Sequence, residues 1–237
     1  MSGPEVAQTG GDGHETADWH RNYGGPEAVA RRRAAMSGKL RSLGLEAGPD
    51  VAVLDVCCGH GETLDCLHAA GIRDLHGVDL TIPPALRADA RFSVHCAGAS
   101  ALPYPDGRFD WVLCIHSLHH LASAAEVARF LGEAQRVLKP GGRLGLVDFP
   151  ASPQIRVAFW LFRHGWLQFS PYLRWFTTVI REEWWFLRDY LPQWPEVRRL
   201  LLRGSLQVER HRPGLFYFHL TLRKPADSLP CARNACS

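Results

Sequence analysis

Long apolar runs are absent from this chain. No uninterrupted stretch approaches the ~20 residues that a bilayer span needs, which argues against an integral membrane protein. The opening MSGPEVAQTGGDGHETAD lacks the basic-then-apolar pattern of a secretory leader and reads as the start of a disordered arm, residues 1–25. A disulfide framework is also missing. Seven cysteines is an odd count, and several sit inside apolar strand-like runs, as expected of a reducing, cytoplasmic interior. Charge of one sign is not dominant: 27 Lys/Arg against 24 Asp/Glu leave +3, so the total demands no nucleic acid. Neither an internal repeat nor a low-complexity tract occurs. Metal-ligand spacing is absent as well. Cys57, Cys58, His60, Cys66 and His68 are crowded in sequence, but adjacent cysteines rarely converge on one ion, and no metal is expected.

What is present is unevenly distributed. Hydrophobic residues make up 46% of the 237, enough to fill one core of moderate size. Residues 151–237 hold 13 Lys/Arg against 6 Asp/Glu, so the preceding part is net negative. Thirteen of the 24 Phe, Trp and Tyr residues fall between 155 and 195. Two halves with different tasks are implied.

Pro26 to Leu43 reads as a helix, with proline in its first turn and Gly44 beyond its end. VAVLDV (51–56) is a continuous apolar run typical of a buried parallel strand, and a Gly-rich turn breaks it. Glu62 to Ala70 is helical; LHGVDL (75–80), RFSVHCA (91–97) and FDWVLCIH (109–116) read as strands. A helix over Ala124 to Leu138 is ended by KPGG, and RLGLVDF (143–149) follows as a fifth strand. This alternation predicts an α/β fold with a doubly wound, mainly parallel sheet.

The pattern changes at 151. Residues 154–166 place Ile155, Phe159, Phe162 and Trp166 on one helical face. A second stripe follows Ser170-Pro171 through Leu173, Phe176, Ile180, Trp184, Leu187 and Leu191. An LPQWP turn then precedes a short helix from Pro195 to Arg203. SLQVERH and LFYFHLTLR read as an antiparallel hairpin that completes a seven-stranded sheet. The expected division is an arm (1–25), a ligand-binding core (26–150), a helical cap insert (151–203), the hairpin (204–225) and a disordered tail (226–237).

VLDVCCGHGET (53–63) is the sharpest motif. A strand ends in an acid and passes through Gly-x-Gly into a helix, where small residues admit a ligand close to the backbone and free N–H groups face it. The third small position of the dinucleotide fingerprint is missing, which disfavours NAD. The segment resembles the acid-x-Gly-x-Gly-x-Gly motif of class I S-adenosylmethionine-dependent methyltransferases, with Cys57 in place of the first Gly. The resemblance continues in order through GVDL (77–80), ALPYPDGRFDWVLCIHSLHHL (101–121) and RVLKPGGRLGLVDF (136–149). It covers roughly residues 50–150.

The resemblance implies S-adenosylmethionine as cofactor. Asp55 would lie near its amino group, and Cys57, Cys58, Gly59 and Gly61 against its methionine portion. Asp79, with Leu80 beside it, would hold both ribose hydroxyls. Where the family often has Asp-Ala after strand three, this chain has Gly98-Ala99, so the Ala99 N–H is left to reach the adenine and a side-chain contact is lost, worth on the order of 1 kcal/mol. His116, His119 and His120 cluster at the end of strand four, the edge that faces the ligand crevice in such sheets. His119 and His116 are the candidate proton acceptors, with Asp148 at the end of strand five as another. His116 also lies beside the cofactor. The same LHH segment serves packing in many methyltransferases. Trp19 and Tyr23 either close over cofactor and substrate or anchor the arm.

The aromatic segment bears on the acceptor. Six Trp lie within 160–194, interleaved with Arg156, Arg163, Arg174, Arg181 and Arg188. The family commonly inserts a cap over the active site here, which makes Trp160, Trp166 and Trp184 candidate substrate contacts along with Tyr23. Aromatic-plus-Arg helices also suit a peripheral membrane interface. No nucleic-acid partner is expected, because these residues lie on apolar helical faces rather than in an open basic groove. The cap, the LPQWP turn and the terminal hairpin are similar in pattern to the ubiquinone/menaquinone C-methyltransferase branch. The expected activity is methylation of a small hydrophobic acceptor, phenolic, quinone-like or lipid-like. The alternatives are a cofactor-binding protein with a non-methyl or non-catalytic role, or a protein or RNA methyltransferase.

Overall fold

Parallel strands buried on both faces need apolar residues at every position, and AVLDV supplies them. In the computed structural model these residues form β1 (Ala52–Val56), buried throughout. The structure describes residues 26–46, 48–121, 123–166, 169, 173–174, 177, 184–214 and 216–226, without the side chains of 26–32 and 184–187. The arm with Trp19 and Tyr23, the side chain of Trp184 and the tail from 227 onward lie outside this description.

Helix α1 (Pro26–Leu43) precedes β1, and α2 (Glu62–Ala69) follows it. Next come β2 (Asp74–Asp79), the one-turn α3 (Pro84–Arg87), β3 (Ser93–Cys96) and β4 (Phe109–Ile115). A 3₁₀ turn at Leu118–His120 leads to α4 (Ala124–Val137) and β5 (Leu138–Asp148). Helices α5 (Pro153–Arg163) and α6 (Trp184–Arg203) precede β6 (Gln207–Arg212) and β7 (Phe218–Arg223). Among the described residues seven strands form one sheet in the order β3-β2-β1-β4-β5-β7-β6. The pairings from β3 to β5 are parallel, whereas β7 runs antiparallel to both β5 and β6. The expected doubly wound sheet with a terminal hairpin is therefore present.

Successive strand residues point to opposite faces, which splits the core in two. Val53, Leu113 and Val147 pack with Leu40 and Leu43 of α1 and Leu64 and Leu67 of α2. Leu54, Val112, Leu144 and Leu220 pack on the other face with Phe130 of α4, Phe159 of α5 and Val197 and Leu201 of α6. The helices of the 151–203 insert thus share a core with the sheet. The outer strand β6 is exposed along its length and carries Glu209, Arg210, His211 and Arg212, charges that discourage edge-to-edge pairing. No helix among the described residues is long and apolar enough to cross a membrane.

Three local expectations are corrected. Strand β5 starts at Leu138 rather than Arg143, because Leu138 pairs with Phe109 across a bulge. The KPGG turn lies within it, and its Gly141 N–H donates to Lys224 O (3.0 Å). The LPQWP turn is absent: Pro192 and Pro195 lie inside one continuous helix, α6. A proline strips the carbonyl four residues earlier of its helical donor. For Pro195 that carbonyl is Leu191, and Arg156 Nη2 of α5 donates to it instead (2.9 Å). Trp166 also leaves the apolar face, because α5 ends at Arg163 and Gly165 takes the left-handed conformation (φ 75°).

Candidate functional site

The carboxyl ends of β1, β2, β4 and β5 lie together at one edge of the sheet, where open α/β folds receive ligands. The turn after β1 is built on left-handed residues: Cys57 (φ 61°), Gly59 (φ 49°) and Gly61 (φ 81°). Cys57 adopts this conformation with a side chain, at a cost on the order of 1–2 kcal/mol. Its thiol hydrogen-bonds that of Cys114 on β4, which, with burial, holds the Cys114 thiol well above its ordinary pKa. A Cβ at Gly59 would meet nothing within 4 Å, so the turn presents bare backbone to open space. Gly61 caps α2 with no side chain over its N–H groups.

Two carboxylates flank this turn. Asp79 Oδ2 accepts the Gly59 N–H (2.8 Å) and Oδ1 accepts the Thr81 N–H (3.2 Å), tying the end of β2 to the turn. Asp55 is buried, and its carboxyl is pushed up to about 8, first by burial and then by the charge of Asp79; a hydrogen bond from Thr63 offsets part of this. No cation pairs with Asp55 among the described residues. Beside Asp79, Leu80 is 79% exposed, an apolar side chain standing in solvent at the strand end. It faces Gly98, whose Cβ would lie 3.7 Å from Leu80 Cδ2, and Ala99 is buried next to that position. An apolar side chain and a glycine thus lie side by side next to the Asp79 carboxylate.

The two candidate histidines part company beyond β4. His119 is 1% exposed and Asp148 0%. His119 Nδ1 donates to Asp148 Oδ1 (2.8 Å), and the His119 N–H reaches Asp148 Oδ2 (3.2 Å). Burial alone would raise the Asp148 carboxyl, but the His119 charge and hydrogen bond, with the Phe149 N–H, hold it below its ordinary value. Phe149 and Tyr190 pack edge-on to the His119 ring, at 5.3 and 6.2 Å. His120 is exposed.

His116 also neighbours Phe149, at 6.0 Å between ring centroids. It takes a left-handed conformation (φ 55°), and its N–H donates to Val147 O (2.8 Å). Its ring packs on Tyr217 at 4.5 Å, and its buried Nε2 has no hydrogen-bond partner among the described residues. Burial, followed by the charge of Lys39, pushes its pKa down to about 3, so the ring is neutral at physiological pH.

The expected substrate contacts on α5 and just beyond it are placed differently. Trp160 is 50% exposed and Trp166 70%, and the two stack on each other 6.4 Å apart. Ile155, Phe159 and Phe162 face inward instead. Two residues near the edge carry no sequence signal. Lys39 sits in α1 without a motif, and Tyr217 is one ring in an aromatic run. The buried Tyr104 hydroxyl lacks a partner among the described residues, its ring set edge-on between His76, His95 and Phe109. No group of three metal-ligating side chains occurs among the described residues. A groove of about 460 Å³ opens at the opposite edge of the sheet. Its charges are largely paired, Lys139 with Asp110 (2.7 Å) and Arg143 with Glu209 (2.8 Å).

Residues 54–146 match the family model of a methyltransferase domain. The chain is 36% identical over 136 residues to 27-O-demethylrifamycin SV methyltransferase of Amycolatopsis mediterranei, covering 54% of this chain and 47% of that protein. It is 33% identical over 143 residues to demethylmenaquinone methyltransferase of Symbiobacterium thermophilum, covering 55% of each. The chain spans about half the length of these relatives. In fold it is similar to the 1,6-didemethyltoxoflavin-N1-methyltransferase of Burkholderia thailandensis, solved with S-adenosylhomocysteine, with a TM-score of 0.55, 22% identity and coverage of 95% of this chain and 93% of that one.

Proposed function

We propose that this chain, whose residues 54–146 carry the methyltransferase domain, transfers a methyl group from S-adenosylmethionine to a small hydrophobic acceptor. The observation that carries the proposal is Asp55, a buried carboxyl held protonated beside Asp79 with no cation to pair with. A ligand bearing a cationic amine and a sulfonium relieves that position, and the bare Gly59 turn leaves room for it. When bound, S-adenosylmethionine supplies a methyl group activated by its sulfonium. Asp55 would accept from the cofactor's ammonium and Asp79 from the ribose hydroxyls. The adenine would lie beside Leu80 and Gly98-Ala99, with the Ala99 N–H toward the ring.

For an acceptor that must lose a proton, His119 is the proposed base. Asp148 holds its Nδ1–H, so the ring presents Nε2 as the basic nitrogen. The acceptor's proton would pass to Nε2 as its carbon or oxygen bonds to the methyl and the carbon–sulfur bond breaks, leaving S-adenosylhomocysteine. Phe149, Tyr190 and Tyr217 give the two histidines an aromatic surround, which favours an aromatic acceptor. The names of the two relatives, acting on a rifamycin and on demethylmenaquinone, support that class. Peripheral bilayer contact is a further part of the reading, supported by the outward Trp160, Trp166 and Phe169 with Arg163 and Arg174 exposed nearby. The test is incubation with methyl-labelled S-adenosylmethionine and a panel of phenols, naphthols and reduced quinones. Label entering an aromatic acceptor, with matching S-adenosylhomocysteine, supports the proposal; cofactor binding without transfer to any of them contradicts it.

A further inference from the structure

Lys39 enters the functional edge from α1, on the face opposite α4. It is partly buried, with Nζ 5.5 Å from the centroid of the Tyr217 ring, and among the described residues its ammonium makes no hydrogen bond or ion pair. Burial lowers its pKa, and the charge of Glu62, at the start of α2, only partly offsets this. His116 packs on the same Tyr217 ring, at 4.5 Å, within reach of the Lys39 charge, and its buried Nε2 is likewise without a hydrogen-bond partner among the described residues. A desolvated ammonium and a buried imidazole nitrogen each cost free energy when left unmatched. One anionic oxygen seated between them satisfies both: the ammonium supplies charge and a donor, and neutral His116 donates in its Nε2–H tautomer.

We propose that Lys39 and His116 form an oxyanion site at the methyl-transfer edge, which takes a carboxylate or another acidic oxygen of a bound ligand. The proposal rests on the methyl-transfer reading. Two ligands can bring that oxygen. On the Glu62 side it would be the amino-acid carboxylate of the cofactor; on the Tyr217 and Phe149 side it would be an acidic oxygen of the acceptor.

Calorimetry with matched pairs separates these sources. The first pair is S-adenosylhomocysteine and 5′-methylthioadenosine, which keeps the nucleoside and thioether but lacks the carboxylate. The second is 2-naphthoate and 2-naphthamide, titrated into protein saturated with S-adenosylhomocysteine. If the cofactor supplies the oxygen, Lys39→Met weakens S-adenosylhomocysteine at least tenfold and leaves methylthioadenosine unchanged. If the acceptor supplies it, Lys39→Met abolishes a preference of at least tenfold for naphthoate over naphthamide. In both cases Lys39→Arg restores binding, which a merely structural lysine would not require. Lys39→Met protein with wild-type melting temperature and no change in either pair overturns the proposal. Should Lys39→Met fail to fold, His116→Phe is read by the same two pairs and the same criteria. A wild-type chain that does not bind S-adenosylhomocysteine at all overturns the underlying reading, and the oxyanion site with it.

Discussion

Asp55 is the residue on which the electrostatics of the site turn. Its folded pKa, about 8, lies above the value of ~4 expected in an unfolded chain, so the folded protein holds a proton that the unfolded chain releases. Stability from this group therefore falls as pH rises from ~4 to 8, by up to about 1.4 kcal/mol per unit, and then levels off. Asp55→Asn removes that slope, and denaturant melts between pH 5 and 9 measure it. A cationic ligand lowers the pKa of Asp55, so binding at pH 7 releases a proton and tightens toward pH 8. Calorimetry in buffers of different ionisation enthalpy reads that release, which is expected to vanish in Asp55→Asn. The His119–Asp148 pair carries the opposite risk. Asp148→Ala leaves the buried His119 Nδ1–H without its acceptor, and a loss on the order of 1–3 kcal/mol is expected on denaturant unfolding. His119→Gln is expected to lower turnover on a phenolic acceptor by roughly 10²–10⁴-fold while cofactor affinity holds.

Among the elements, α6 ties sequence to packing most clearly. Two internal prolines would normally end a helix, yet it continues to Arg203, and Arg156 of α5 takes over the Leu191 carbonyl that Pro195 leaves without its helical donor. Arg156→Met strands that carbonyl and is expected to cost on the order of 1–3 kcal/mol. Pro195→Ala restores a backbone donor for it, so the same change in that background is expected to cost clearly less; a double-mutant cycle decides. No sequence pattern could have found this contact, because it joins residues 35 apart on different helices. The strands were legible for the converse reason. VAVLDV and FDWVLCI state their burial in their own composition, and the acid–turn–glycine order of residues 55–61 sets Asp55 at a strand end without tertiary information. Lys39, Tyr217 and the inward His119 depend on which chain segments meet. Trp160 and Trp166 show the limit of helical spacing: it gathers aromatics on a stripe but does not say whether that stripe faces the core.

Across the molecule, the antiparallel β7 completes a sheet whose ligand edge is lined by β1, β2, β4 and β5, with the acid pair toward β2 and the aromatic surround toward β7. The proposed function thereby puts cofactor and acceptor at neighbouring parts of one sheet edge. The outward aromatics on α5 and just beyond it belong to a different surface, and vesicle sedimentation tests them. Binding to anionic vesicles that weakens with salt and is lost in Trp160→Ser/Trp166→Ser is expected if that surface meets a bilayer. The measurement that bears most directly on the site is calorimetric titration of S-adenosylhomocysteine into the wild-type chain and Asp79→Ala, with melting temperatures recorded in parallel. Removal of charge-assisted hydrogen bonds worth about 1.5–3 kcal/mol each predicts one site per chain in the wild type and at least a tenfold weaker one in a variant that stays folded. Wild-type affinity in folded Asp79→Ala, or no binding by the wild type, would contradict a cofactor site at the ends of β1 and β2.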